Sequence, residues 1–229
     1  MPAKAKQRTM AHAFFITGTD TEIGKTYASC ALLAAADQQG LRAVALKPVA
    51  AGTDSDGHND DVVRLMAASN IVLPERTVNP WLLKEPLSPH IAARLAGVEI
   101  TAATIIETFH LADERTDLLL VEGVGGLYAP LSDTLSQPDL IRQLDIPVIL
   151  VVGLRLGCLN HALLTADAIK HEGLQFAGWI GNQVDPAFQA PAENIQTLNE
   201  RLKAPCLGIL PYDATASASA LASHLSLPR

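Results

Sequence analysis

Cysteine is scarce in this chain of 229 residues, which contains only Cys30, Cys158 and Cys206. Their number is odd, and no two of them are spaced as Cys-x-x-Cys. Disulfide frameworks of secreted domains use an even number of cysteines. The pattern therefore favours a reduced, cytoplasmic compartment.

Basic residues and long apolar runs are also in short supply. Lys and Arg number 17 against 24 Asp and Glu, so the formal net charge is −7, and the cationic residues are scattered along the chain. Duplex DNA and anionic membranes require a clustered basic surface, so we expect neither as a partner. An anionic cofactor could still bind, because backbone N–H groups and one or two lysines suffice locally. The longest apolar run, residues 146–152, is far shorter than the roughly 20 residues of a membrane-spanning helix.

No linker rich in Pro, Gly or Ser divides the chain. The length and the 48% hydrophobic content fit one large α/β domain, which we place at residues 14–229. Residues 1–13 contain three basic side chains, and no apolar stretch long enough for a signal peptide follows them. We therefore expect residues 1–13 to form a disordered tail.

Short apolar runs alternate with amphipathic segments of helix length, which is the rhythm of repeated βαβ units. The predicted strands are 13–17, 42–47, 117–122, 147–152, 176–181 and 206–210. The predicted helices are 25–38, 89–96, 102–111, 138–144, 160–171 and 192–202, with a shorter one near residue 61. The Ala/Ser-rich stretch 214–223 is either a last helix or a loose tail. Because the strands are apolar throughout, they indicate a mostly parallel sheet covered by helices on both faces.

The first predicted strand ends in a segment that resembles a phosphate-binding loop. It runs from Gly18 to Gly24-Lys25-Thr26, with five residues between the glycines instead of the usual four. Gly24 allows the backbone to bend around a phosphate, and the amides of the following helix point their N–H groups at it. Lys25 can then reach the β- and γ-phosphates, and the Thr26 hydroxyl can bind Mg²⁺. The segment predicts a nucleoside triphosphate site in a P-loop fold.

Further charged candidates follow the other strands, at the edge where parallel sheets bind ligands. Glu122 closes the strand 117–122 and precedes a glycine-rich loop, in the place of a metal-binding acid. Lys47 ends the second strand, where it either extends to solvent or offers a cation near the γ-phosphate. Since strand ends contribute little core, we expect replacement of Lys25 or Lys47 to leave the fold intact. The loop 52–61 holds four acids, among which the pattern alone does not choose: Asp54, Asp56, Asp60 and Asp61.

Six ordered motifs of the chain resemble those of dethiobiotin synthetases. They are Thr17-Gly-Thr-Asp-Thr-Glu-Ile-Gly-Lys-Thr26, Lys47-Pro-Val, Ser88-Pro-His90, Val121-Glu-Gly-Val-Gly-Gly126, Gly157-Cys-Leu-Asn-His161 and Gly178-Trp-Ile-Gly-Asn182. The extra residue in the first motif is a feature of that family's modified P-loop. The resemblance extends over most of the chain, from the first strand to about residue 212, and six motifs in order are difficult to obtain by chance.

The resemblance implies an ATP- and Mg²⁺-dependent cyclo-ligase of biotin biosynthesis. One amine of 7,8-diaminopelargonate takes up CO₂ as a carbamate, and ATP phosphorylates the carbamate to a carbamic-phosphoric anhydride. The second amine then closes the ureido ring as phosphate leaves. The resemblance further implies a homodimer in which the substrate carboxylate lies across the subunit interface.

The same resemblance assigns roles to individual residues. Lys25 and Lys47 are the catalytic pair, and the metal ligands are Thr26, Asp61 and Glu122, which selects Asp61 from its loop. Asn182 reads the adenine. The implied nucleotide-binding residues are Glu22, Ile23, Gly24, Lys25, Thr26, Tyr27, Asp61, Glu122, Gly123, Val124, Gly125, Asn182, Gln183, Pro211, Tyr212 and Asp213. The implied substrate-binding residues are Ala51, Cys158, Leu159 and Asn160.

Three positions depart from the family pattern. Ala51 stands where a substrate-contacting serine is usual, Gln183 where an aspartate is common and Leu127 where an aromatic residue is frequent. An alternative identity is a partitioning or septum-positioning ATPase of the same P-loop clan. Those proteins carry a signature lysine early in the P-loop, where this chain has Thr19-Asp20-Thr21.

Overall fold

The computed structural model describes residues 12–213 and 215–228. Eight strands are found there: β1 His12–Gly18, β2 Ala43–Leu46, β3 Val49–Ala51, β4 Trp81–Leu83, β5 Leu118–Glu122, β6 Val148–Leu154, β7 Phe176–Gln183 and β8 Cys206–Leu210. The α-helices are α1 Lys25–Gln38, α2 Asp60–Ala68, α3 Glu75–Val78, α4 Pro89–Ala96, α5 Ala102–Asp113, α6 Gln137–Leu144, α7 Cys158–His171, α8 Pro191–Arg201 and α9 Ala218–Leu221. A 3₁₀ turn, Ala222–His224, follows α9.

Six of the strands form one sheet in the order β2-β5-β1-β6-β7-β8, and each neighbouring pair is parallel. The central strands are buried on both faces, as their continuous apolar runs predicted; every residue of β6 is buried. The predicted α/β class with a mostly parallel sheet is confirmed. All six strands end at the same edge, so the loops that follow them meet there.

Alternate side chains of β1 supply two separate cores. Phe14 and Ile16 pack with α1 and with Leu221 of α9 on one face. Phe15 packs on the opposite face, where α5 to α8 cover the sheet with residues that include Ile105 and Leu140. This alternation follows from the two-residue period of a strand. Helices therefore lie on both faces of the sheet.

The predicted strands and long helices all occur, with shifts at their ends. α7 begins at Cys158 rather than at residue 160, because Gly157 takes a left-handed conformation (φ 95°) that starts the helix directly. The stretch 215–228 contains the short helix α9, whose Leu221 is buried, so a last helix is the correct alternative there. Residue 214 lies outside the described residues.

Residues 1–11 of the expected tail, which was placed at residues 1–13, lie outside the described residues. Its last two residues, His12 and Ala13, belong instead to β1. They are held there because the backbone N–H of His12 donates to the carbonyl of Asp117 at 2.9 Å. These two residues therefore lie in the first strand and not in the predicted tail.

The sequence did not predict three small elements, β3, β4 and α3. β3 and β4 form a separate parallel pair in which Ala51 lies opposite Leu83. Runs of three or four residues are too short for a periodic signal. Among the helices of the described residues, none has the length and apolarity needed to cross a membrane.

Candidate active site at the carboxyl edge of the sheet

Glu122 is the centre of a cluster of polar side chains. It ends β5, which lies between β1 and β2, so the segments that follow those two strands flank it. Its Oε1 accepts a hydrogen bond from Thr26 Oγ1 at 2.7 Å, and its Oε2 accepts one from Ser29 Oγ at 2.6 Å. The side chain of Glu122 is fully buried. The carboxylate is thus fixed by two hydroxyl groups of α1.

Lys47 completes this cluster and is buried with it. Its Nζ lies 2.7 Å from Glu122 Oε1 and 3.1 Å from Asp61 Oδ2, and it also donates to the Gly123 carbonyl at 3.4 Å. Burial alone lowers the pKa of Lys47, but the two carboxylates outweigh burial and hold this pKa above the ordinary lysine value. Lys47 is therefore a charged ammonium, and its extension to solvent is excluded.

Asp61 is the acid of the 52–61 loop that reaches the cluster. Burial alone raises its pKa, but Lys47 and a hydrogen bond from Thr26 outweigh this and lower it. Two of the other acids are engaged elsewhere. The Asp54 carboxylate accepts backbone N–H groups within its own loop, and Asp60 pairs with Arg64 at 2.9 Å on the surface. The geometry thus separates Asp61 from its neighbours, a choice left open by the residue pattern.

Lys25 lies beside the cluster on the first turn of α1. Its Nζ donates to the Asp20 carbonyl at 3.0 Å, which bends the side chain back over its own loop. Burial, and then the neighbouring Lys47, lower the pKa of Lys25 to about 8. Two lysines and two carboxylates therefore lie together at this edge of the sheet.

Two residues of the P-loop, Glu22 and Gly24, have positive φ angles. Gly24 has φ 84°, and a Cβ at this position would collide with Asn182 Nδ2. Glu22 has φ 58°, which is uncommon for a residue other than glycine. On the outer side, Arg155 pairs with Asp20 at 2.7 Å, which connects the P-loop to the segment before α7. The loop is therefore bound on both sides.

A cavity of about 240 Å³ lies behind the P-loop. Its lining residues are Glu22, Gly24, Tyr27, Asn182, Gln183, Val184, Pro211, Tyr212 and Asp213. Asn182 is almost fully buried and donates through Nδ2 to the Ile23 carbonyl at 2.9 Å. Its Oδ1 is buried and has no partner among the described residues. Buried acceptors of this kind are normally paired with a donor.

Gln183 is used differently from a base-reading side chain. Its Oε1 accepts the backbone N–H of Tyr212 at 3.3 Å, which connects β7 to the loop after β8. On the same loop, the carbonyl of Asp213 accepts a hydrogen bond from the Tyr27 hydroxyl at 2.9 Å. These two contacts hold the loop 211–213 at the mouth of the cavity.

The four predicted substrate residues divide between two places. Ala51 is the last residue of β3, and β3 begins two residues after Lys47. Ala51 is therefore at the same end of the site as the Lys47–Glu122 cluster. Cys158, Leu159 and Asn160 form the first turn of α7. The Cys158 side chain is buried in the core, so this residue can offer a ligand only its backbone, whereas Asn160 is exposed.

The oxygen atoms of the cluster fit a magnesium ion. Thr26 supplies a hydroxyl, and Asp61 and Glu122 supply carboxylates, which are hard ligands of the kind that Mg²⁺ prefers. The ammonium of Lys47 lies between the two carboxylates. Within the described residues no cluster of three or more His, Cys, Asp or Glu forms a metal cage. Mg²⁺ that binds together with a nucleotide takes only one or two protein carboxylates and completes its shell with phosphate and water.

Sequence reasoning missed three buried polar residues around the cluster. Ser29 binds Glu122, Asn79 donates through Nδ2 to the carbonyl of Lys47, and Gln137 binds the loop after Glu122. All three are buried. For Ser29 a signal existed, because it lies three residues after Thr26 and thus on the same side of α1. For Asn79 and Gln137 the contacts arise from tertiary packing, which leaves no local pattern.

Comparison with known proteins finds one matching family model and several similar sequences. A family model described as "AAA domain" matches residues 12–220. The ATP-dependent dethiobiotin synthetase of Aromatoleum aromaticum is 48% identical over 223 residues, which cover 96% of this chain and 99% of that protein. The enzyme of the same name from Ralstonia nicotianae is 50% identical, with 93% and 94% covered. That of Xanthomonas oryzae is 49% identical, with 95% and 98% covered.

Solved structures similar to this chain show its fold. A ParA family ATPase of Chlorobium tepidum has a TM-score of 0.56 at 14% identity and covers 93% of this chain and 91% of its own. The MinC:MinD complex of Aquifex aeolicus has a TM-score of 0.55 at 14% identity, with 94% and 87% covered. The structural likeness supports a P-loop architecture for this chain. At identities this low, it does not favour a partitioning or septum-positioning role.

Proposed function

The chain belongs to the family of ATP-dependent dethiobiotin synthetases, and we propose how its residues divide the work of ureido-ring closure. It is an ATP-dependent cyclo-ligase. One observation carries the proposal: the Lys47 ammonium lies within 3.1 Å of both Glu122 and Asp61, beside the P-loop. A cation and two carboxylates are thereby gathered where a γ-phosphate would arrive.

The metal set in this proposal is Thr26, Asp61 and Glu122. When bound there with ATP, Mg²⁺ would neutralise phosphate charge as it is transferred. Lys47, which lies beside both carboxylates, would offer its ammonium to an anion.

Lys25 and Lys47 would bind the anionic reactants of each step. One amine of 7,8-diaminopelargonate and CO₂ form a carbamate, whose oxygen attacks the γ-phosphorus and displaces ADP. The second amine then attacks the carbamoyl carbon, and phosphate leaves with the C–O electron pair. The two ammonium groups hold the carbamate and phosphate oxygens in line and offset their charge, so the protein contributes position and electrostatics.

The adenine would lie in the cavity behind the P-loop. The unpartnered Oδ1 of Asn182 would accept from the exocyclic amino group of the base, which satisfies a buried acceptor. Tyr27, Pro211 and Tyr212 would cover the ring, with Gln183 holding the loop that carries two of them. In this arrangement Gln183 serves the pocket without reading the base.

The substrate carboxylate would bind at the start of α7 in a second copy of the chain. Diaminopelargonate carries its carboxylate and its diamine at opposite ends, so two separated anchors are needed. The free N–H groups at Cys158-Leu159-Asn160 and the positive end of the helix favour an anion. Leu156 and Leu164, which flank this turn, are 91% and 61% exposed, as residues of a subunit interface would be in one isolated chain. A homodimer and a cytoplasmic location, where the free cysteines stay reduced, complete the proposal.

The direct test is incubation with diaminopelargonate, bicarbonate, Mg²⁺ and ATP, followed by mass analysis for the ureido product. Lys25→Gln and Lys47→Gln should each lower turnover on the order of 10²-fold or more, because each removes a preorganised charge. Lys170→Gln, on an exposed part of α7, is the matched control and should be unaffected. Near-normal rates in both site variants would refute the assignment.

The shared site is tested by mixing two inactive proteins. One is Lys47→Gln, and the other has Asn160 and its neighbours replaced. If the site spans two chains, random exchange should restore about a quarter of normal activity, since mixed dimers hold one intact site. Absence of recovery despite demonstrated subunit exchange would place the whole site within one chain.

A further inference from the structure

Gln137 is the first residue of α6, and only 1% of its surface is exposed. Its side-chain amide forms hydrogen bonds to one loop. Oε1 accepts the N–H of Val124 at 3.0 Å, and Nε2 donates to the carbonyls of Val124 at 3.0 Å and Gly126 at 2.7 Å. A longer contact of 3.4 Å reaches the carbonyl of Leu127. A single amide thus binds the 123–127 loop at three residues.

The 123–127 loop begins directly after Glu122 and lies against the P-loop. Its Gly123 carbonyl accepts from Lys47 Nζ at 3.4 Å. A Cβ at Gly125 would be 3.4 Å from the Thr21 hydroxyl, and one at Gly126 would be 3.6 Å from the Gly18 carbonyl. A loop with three glycines has much conformational freedom of its own. Its position between Lys47 and the P-loop therefore depends on contacts from outside it.

Gln137 also packs on the residue that follows Glu122. A Cβ at Gly123 would collide with Gln137 Oε1 and would come within 2.8 Å of the Phe15 ring. The backbone between the carboxylate and the loop is thus enclosed by two side chains. Gln137 is therefore in direct contact with the backbone that joins Glu122 to the loop.

The helix α6 does not require the Gln137 amide for its own stability. Ser136 caps it, with its side chain accepting from Asp139 N at 3.2 Å, and Asp139 accepts in return from the backbone N–H of Ser136. Leu140, Ile141 and Leu144 bury its inner face in the core. The hydrogen bonds of Gln137 are therefore directed at the loop rather than at the helix.

We propose that Gln137 is a positioning residue for the ligase reaction, which holds the 123–127 loop so that Glu122 and the loop backbone meet the magnesium–nucleotide end of the site. This inference rests on the proposed function of Glu122 and Lys47. Gln137 itself touches none of the reactants, and it acts through hydrogen bonds to Val124 and Gly126. Residues of this kind orient metal ligands, and their loss typically costs 10- to 100-fold in metal affinity or activity.

The test compares Gln137→Met, which keeps length and apolar volume but makes no hydrogen bonds, with Gln196→Met, an exposed control on α8. For Gln137→Met we expect kcat to fall by roughly 10- to 100-fold and the half-saturating Mg²⁺ concentration to rise by a similar order. The KM for diaminopelargonate should change little, because the loop lies at the phosphate end. Gln196→Met should match the wild type in all three.

The thermal midpoint of each variant separates positioning from general stability. A lower midpoint with kcat and Mg²⁺ dependence unchanged, measured well below the transition, would make Gln137 a structural residue and overturn the proposal. If Gln137→Met does not fold, Gln137→Glu takes its place, since it keeps the acceptor for Val124 N–H but loses both donors. It should show the same loss of kcat, and normal kcat would overturn the proposal.

Failure of the proposed function gives a different result. A wild-type protein that makes no ureido product would refute the proposed function alone. The Mg²⁺ dependence of ADP binding, measured by titration calorimetry on the wild type and Gln137→Met, would then test the loop by itself. Equal Mg²⁺ dependence in the two proteins would overturn the positioning role.

Discussion

Replacing Lys47 by Met should destabilise the ligand-free protein as well as inactivate it. The Lys47 side chain is 4% exposed and that of Glu122 is 0% exposed, with 2.7 Å between their charged atoms. Removing one partner of a buried ion pair costs about 3–5 kcal/mol, because the other charge is left without compensation. Thr26 and Ser29 still bind the Glu122 carboxylate, so the lower end, about 3 kcal/mol, is expected here. Asp61, whose side chain is 44% exposed, adds little because solvent screens it.

This loss should appear as a fall in the thermal midpoint. For a domain of this length, 1 kcal/mol shifts Tm by roughly 2–4 °C, so Lys47→Met should melt roughly 6–12 °C below the wild type. The measurement is calorimetry or urea unfolding in metal-free buffer at neutral pH. The double variant Lys47→Met with Glu122→Gln should recover much of the loss, since a neutral amide keeps partners without a charge. Lys170→Met is the surface control and should melt with the wild type.

Two results would refute this reasoning. A single variant within about 1 kcal/mol of the wild type would show that Lys47 is not needed to offset the buried carboxylate. A double variant no more stable than the single one would show that the loss comes from packing rather than from charge. The expectation that the fold persists after lysine replacement stays a prediction, although Lys47 is buried at its strand end.

Three further predictions concern the same edge of the sheet. Asp61→Asn should raise the Mg²⁺ concentration needed for half-maximal turnover, whereas Asp54→Asn should not; a reversed result would mean that the wrong acid was assigned. Ser29→Ala leaves Glu122 Oε2 without its donor at 2.6 Å and should cost about 1–3 kcal/mol in urea unfolding, a loss that the exposed Ser219→Ala should not reproduce. Because Asn182 would accept from an exocyclic amino group, kcat/KM for ITP, which lacks that group, should fall below that for ATP by an amount equivalent to about 1–3 kcal/mol. Equal values for ITP and ATP would show that Asn182 does not read the base.

The long elements of the fold could be predicted because each carries its own signal. α1 occupies the predicted residues 25–38, since the P-loop fixes its start and the run of alanines and leucines continues its buried face. The buried strands β5 and β6 appear as unbroken apolar runs, and a parallel sheet covered on both faces follows from them. The order of the strands could not be predicted, because no local sequence pattern shows that β5 lies between β1 and β2.

The residue types of the candidate site could be predicted from the sequence, but several of the contacts between them could not. Lys25, Thr26 and Glu122 stand at strand or helix ends where the chemistry of phosphate binding requires them. The selection of Asp61 needed either the family resemblance or the distance to Lys47. The contributions of Ser29 and Gln137 come from side chains buried against distant segments, and a buried glutamine in the sequence has the same appearance as an exposed one. Their roles therefore emerge only when the packing is known.

The parallel sheet also gives the molecule two edges of different composition. The polar groups of the site lie at or just after the carboxyl ends of the strands, and the opposite edge includes turns such as those at Gly40 and Gly173. Both turns are exposed, have positive φ and have no atom within 4 Å of the place where a side chain would begin. Attachment points for a tag, a fluorophore or a solid support belong at these turns, because the length of the strands then separates the attachment from the reacting groups. The molecule can thus be oriented on a surface with its open face towards the substrate solution.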